Sequence, residues 1–77
     1  NIMDTKEKAA QAKVILDNKV FKEIVQNLDI SIIEQWKYAD NQDDREFYWF
    51  KSLALRSIIE DLESLIDNNR IEGERNE

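Results

Sequence analysis

The sequence predicts an all-α fold: an antiparallel helical hairpin plus a shorter N-terminal helix, completed as a bundle by self-association. Three observations carry this reading. Proline is absent and the one glycine, Gly73, stands almost at the end of the chain, so the turn residues that strand hairpins and sandwiches need are missing. Apolar residues recur at helical spacing along most of the 77 residues. A chain of this length also buries only about 60–65% of the surface its unfolded form exposes, so apolar burial barely exceeds the entropy lost on folding. With no Cys and no His, disulfides and the usual zinc sites are closed off. A second subunit or a partner's surface is the remaining way to cover apolar side chains.

The chain reads as a single helical domain over residues 1–77. Met3 reads as the natural start, with Asn1 and Ile2 as a cloning remnant. The first helix is expected over residues 5–17. Asp4 and Glu7 have capping-box spacing, and Ala9, Ala12, Ile15 and Leu16 fall on one face. This narrow, alanine-rich stripe can approach another helix closely but is weak alone. Asp17 and Asn18 are poor helix formers, and either can cap a new helix at Lys19, so the chain is expected to break there.

The second helix is expected over residues 19–39. Phe21, Val25, Leu28, Ile32, Trp36 and Ala39 share one face, Ile30 lies opposite, and Ile33 sits off the stripe. An acidic loop around residues 39–43 follows. The third helix is expected over residues 43–68, opened by Asp43 and Glu46 as a second capping box. Tyr48, Leu55 and Leu62, with Ile58 and Leu65 between them, follow heptad spacing; Lys51 interrupts the seam. Ile59 and Ile66 widen the stripe on one flank, Phe47 and Ala54 on the other. Asp67-Asn68-Asn69 should end the helix, leaving residues 69–77 as a frayed polar tail.

The inventory for chemistry is poor. The commonest general base and the commonest strong nucleophile are both absent, and no glycine-rich loop exists to cradle a phosphate. Asp40, Asp43, Asp44 and Glu46 lack the spacing and the glycine of a calcium loop, and helix capping explains them better. No catalytic residue, cofactor or metal ligand is therefore assigned, and the chain is not expected to be an enzyme. No stretch approaches the roughly 20 apolar residues of a membrane span, so the chain is expected in the cytoplasm without a membrane partner.

Charge and aromatics point to partners instead. The formal net charge is −6, the opposite of what phosphate neutralisation asks, so nucleic acid is not the expected partner. Residues 1–22 carry five lysines against three acids, and residues 60–77 carry seven acids against two arginines. Glu60, Glu63 and Asp67 mark a candidate acidic face. Phe47, Tyr48, Trp49 and Phe50 are consecutive, so they point in four directions about 100° apart. Either the first helix folds over Trp49, Phe50 and Leu53 to make a three-helix core, or these residues form an exposed patch for a second subunit or an unrelated protein. Trp49, Phe50 and Leu53, with Ile30 and Ile33 as lesser members, are the candidate interface.

Ala12, Ile15, Leu16, Asn18 and Phe21, then Trp36, an acidic loop, Arg45-Glu46 and Trp49, and finally Leu62-x-Ser64-x-Ile66 before a polar tail resemble a group of small, mostly uncharacterised helical bacteriophage proteins. In that group a helix breaker often follows the asparagine, where this chain has Lys19. The resemblance implies a phage or prophage origin and supplies no activity. The functional expectation is a non-enzymatic interaction module, such as a phage accessory or assembly protein, acting on an unidentified phage or host protein and forming a homo-oligomer, a dimer first. The alternative is an acidic inhibitor of a basic groove on a host nucleic-acid-handling protein.

Overall fold

The computed structural model describes residues 4–75, with the backbone alone for residues 74 and 75, and is helical on either side of two short breaks. The expectations about residues 1–3, 76 and 77 lie outside the described residues. Helix α1 spans Thr5–Asp17, α2 spans Lys19–Lys37 and α3 spans Gln42–Arg75. The molecule measures 55 × 24 × 24 Å. Its long dimension is set by α3, whose 34 residues reach about 51 Å at 1.5 Å per residue.

Each helix start is built by a short polar side chain. The Glu7 amide donates to the Asp4 carboxylate at 2.7 Å, satisfying one of the orphan donors of α1. Asn18 both ends α1 and starts α2. Its backbone is extended (φ −68°, ψ 126°), its own amide donates to the Ile15 carbonyl, and its side-chain oxygen accepts from the Phe21 amide at 2.9 Å. One residue therefore separates two helices. Asn18→Ala removes this cap at a cost of about 1 kcal/mol. The expected result is a melting temperature lower by roughly 4–8 °C, read by circular dichroism; an unchanged transition would show that packing alone holds the bend.

Helix α3 starts one residue earlier than the acidic sequence suggests. Its cap is Asn41, whose side-chain oxygen accepts from the Asp44 amide at 2.8 Å and whose side-chain amide donates to the Asp44 carboxylate at 3.1 Å. Asp43 and Asp44 lie in the first turn, where the helix dipole favours them. The loop shrinks to residues 38–41.

The far end of α3 corrects the expected tail more strongly. The helix continues through Asn68 and Asn69 to Arg75. Asparagine costs only a few tenths of a kcal/mol inside a helix, and α1 supplies the packing that outweighs it. Thr5 and Lys8 share a hollow with Leu65, Asn68, Ile71 and Glu72.

The three helices form a hairpin with one broken arm. Going back along α3, Ile15 and Phe21 lie beside Ile58, Leu62 and Leu65. Val25 lies beside Leu55 and Ile59, and Ile32 and Trp36 beside Tyr48 and Ser52. Thus α1 and α2 run in succession antiparallel to α3. The basic first helix comes to rest along the acidic half of α3, a placement that opposite charge favours. Helix α1 does not cross Trp49, Phe50 and Leu53, so the three-helix core over those residues does not form.

The core is correspondingly thin. Among the described residues, Ala9, Ala12 and Ile32 are the buried hydrophobics. The partly covered positions of α3 are Tyr48, Ser52, Leu55, Ile59, Leu62, Leu65, Ile66 and Asn69. Except for Leu65, they follow alternating steps of four and three residues. The inward seam therefore runs through Ser52, Ile59 and Ile66, where the sequence suggested Lys51, Ile58 and Leu65. Ile58 is 54% exposed.

Candidate functional site: two faces of a helical hairpin

A two-helix-thick hairpin has two broad faces, and the helical period assigns the exposed side chains between them. On one face, α2 presents Asp29, Ile33 and Trp36 and α3 presents Trp49 and Arg56. These five residues, with Ile32, Tyr48 and Ser52 at the floor, line a cleft of about 290 Å³. Trp36 is 45% and Trp49 54% exposed. Two tryptophans flank a groove with apolar walls and one charge of each sign at its end. That combination suits an apolar anchor from another protein, because large flat side chains bury much area at little entropic cost.

The predicted interface residues divide around this cleft. Trp49 and Ile33 meet in it. Leu53 lies one turn beyond Trp49 on the same flank of α3 and is exposed. Phe50 and Ile30 are also exposed, but the 100° period sets each on the back of its own helix, away from the seam. They are not part of the cleft. Trp36 was assigned by sequence to the inner stripe of α2 and proves to be a cleft wall. The signal that could have found it is its place at the end of the stripe, where a two-helix layer has little to cover a large ring.

The opposite face is apolar over a greater length. Ile15, Ile24 and Leu28 contribute from the first arm, and Phe47, Ala54, Ile58 and Leu65 from α3. Ile15, Ile24, Leu28, Phe47 and Ile58 are all exposed. A hollow of about 360 Å³ between Ile15, Phe21, Ile58, Asp61, Leu62 and Leu65 opens at one end of it. Lys51 interrupts the face. Its ammonium lies 5.4 Å from the Phe47 ring centroid and 5.8 Å from that of Tyr48, a cation–π placement. The two rings meet edge to face at 5.3 Å.

Glu60, Glu63 and Asp67 are exposed on the flank of α3 that carries Trp49 and Arg56, further towards the C-terminus. Among the described residues, no group of three or more acidic side chains is placed to hold a metal ion. Two of the four acids around the loop are engaged at the start of α3: Asn41 donates to Asp44 and Gln42 to Glu46, at 3.1 and 3.3 Å. The Ser57 hydroxyl donates to the Leu53 carbonyl at 2.9 Å. No helix among the described residues is long and apolar enough to cross a membrane.

No protein-family model matches the chain, and no curated protein or solved structure matches it either.

Proposed function

We propose that this chain is a non-enzymatic protein–protein interaction module that holds a partner protein in the Trp36–Trp49 cleft. The observation that carries the reading is the distribution of apolar surface. Fifteen large hydrophobic side chains of the described residues are exposed, against three buried hydrophobic residues of which two are alanines. Patches of this extent on a small protein mark contact sites. The resemblance to small phage proteins makes a phage accessory or assembly role in the host cytoplasm the setting for this module, with self-association covering part of the remaining apolar surface.

The acidic-inhibitor alternative draws on Glu60, Glu63 and Asp67. It is the weaker reading because the lysines of α1 run along the same half of α3 and offset its charge. The two readings separate in one experiment. Partner protein captured from host lysate is titrated against the wild-type chain, Trp49→Ala, Ile33→Ser and a Glu60→Gln/Glu63→Gln/Asp67→Asn variant, at low and high salt. The expected result is a loss of about 2 kcal/mol, roughly 30-fold in affinity, for Trp49→Ala with little dependence on salt. Binding that collapses with salt and with the neutralised acids, and is indifferent to Trp49, would sink the cleft reading in favour of the inhibitor.

A further inference from the structure

We propose that the face opposite the cleft is a twofold interface, on which a second copy of this chain packs with α3 antiparallel to α3 about an axis level with residue 56. The inference rests on the module reading only in using the same excess of apolar surface.

Helix α3 carries two heptad seams side by side. One faces α1 and α2. The other runs through Phe47, Lys51, Ala54, Ile58, Asp61 and Leu65, in alternating steps of four and three residues. A helix with one neighbouring layer uses one seam; a second belongs to a helix with neighbours on two sides. The chemistry of this second seam is self-complementary about its midpoint. An antiparallel twofold at residue 56 sets Phe47 against Leu65, Lys51 against Asp61, and the small Ala54 against the larger Ile58. Symmetric spacing belongs to any heptad seam. The pairing of opposite charges, and of a small with a branched side chain, does not follow from spacing.

The first arm agrees with the same axis. Gln26 and Arg56 line one hollow, with Val25 and Ile59 beside them, so residue 26 lies level with residue 56. Ile24 and Leu28, 52% and 47% exposed, flank residue 26 and would meet each other across the axis. At the end of the face, the partner's Phe47 falls level with Leu65. It would enter the hollow between Ile15, Phe21, Ile58, Leu62 and Leu65.

The area is sufficient. The chain exposes 6561 Å², whereas a compact monomer of its mass exposes about 4,900 Å². The excess of about 1,600 Å² is spread over the whole chain, and half of it would meet the roughly 800 Å² that each partner gives to a standard interface. The radius of gyration tells the same story: 16.5 Å against about 11.5 Å for a compact chain of this length.

The test is sedimentation equilibrium on the full chain at micromolar concentrations. A dimer is expected. Lys51→Asp should weaken it at least about tenfold by setting like charges together, and adding Asp61→Lys should restore most of the loss. Both positions are exposed, so the fold survives either change. The register is read separately. Because the chain has no Cys, a mixture of Lys51→Cys and Asp61→Cys chains treated with a short thiol crosslinker should yield the mixed 51–61 product in preference to 51–51. A monomer throughout, a dimer indifferent to Lys51→Asp, or a dominant 51–51 product would overturn the proposal. A monomer that still binds a partner through Trp49 overturns the dimer and leaves the module standing; a dimer without Trp49-dependent binding does the reverse.

Discussion

Ile32→Asp is expected to leave no cooperative thermal transition, the largest effect of any single change in this chain. Ile32 is 5% exposed and is the sole large side chain among the buried hydrophobics of the described residues. It sits where α2 meets the first turns of α3, on the floor of the cleft beside Trp36 and Tyr48. A carboxylate there has no cationic partner in the floor and must either lose its hydration or drive the helices apart. The milder Ile32→Ala should cost about 2–5 kcal/mol, nearer the lower end because a two-layer hairpin can close partly around the void. At about 0.05–0.15 kcal/mol per residue the whole fold is worth roughly 4–12 kcal/mol, so even this truncation removes a large share. Circular dichroism melts of both variants, at one fixed protein concentration, check the order of effects. A wild-type melt for Ile32→Asp would mean that α2 and α3 are held together elsewhere.

Ala12→Leu is expected to detach α1 and, with it, to shorten α3. Ala12 is 1% exposed, so α1 and α3 touch there through a methyl group with no room behind it. Three added carbon atoms must push the helices apart, at a cost of about 1–3 kcal/mol. Helix α1 has 13 residues, too few to persist once undocked. The end of α3 should follow, because α1 packs along it, with Thr5 and Lys8 facing Leu65, Asn68, Ile71 and Glu72 across a hollow. Hydrogen exchange should therefore show protection lost together in residues 5–17 and 69–73, while residues 44–60 keep theirs. Retained protection at residues 69–73 would mean that the long helix stands without α1.

The pattern of agreement follows the physics of each element. Asp4 was legible as a cap because a short acceptor three residues ahead of an amide is a local device. The break at residues 17–18 was legible for the same reason, although local spacing could not choose between Asp17 and Asn18. At the start of α3, Asn41 with Asp44 and Asp43 with Glu46 have identical spacing, and the first pair caps the helix. The candidate patch was legible as a surplus of aromatics. Its membership was not, because Trp49 and Ile33 belong to different helices and only packing makes them neighbours.

What the sequence determined by itself is the helical state of nearly the whole chain and its two internal breaks to within a residue or two, since caps, the lack of Pro and helical periodicity act within a few residues. Only the tertiary structure decided which of two adjacent heptad seams on α3 turns inward, how far α3 runs, and where α1 lies. Periodicity sets the angles between side chains on one helix and is silent about which neighbour each angle meets. That choice belongs to the packing of Ala9, Ala12 and Ile32 against α3, which leaves the Phe47–Leu65 seam and the Trp36–Trp49 cleft facing outward.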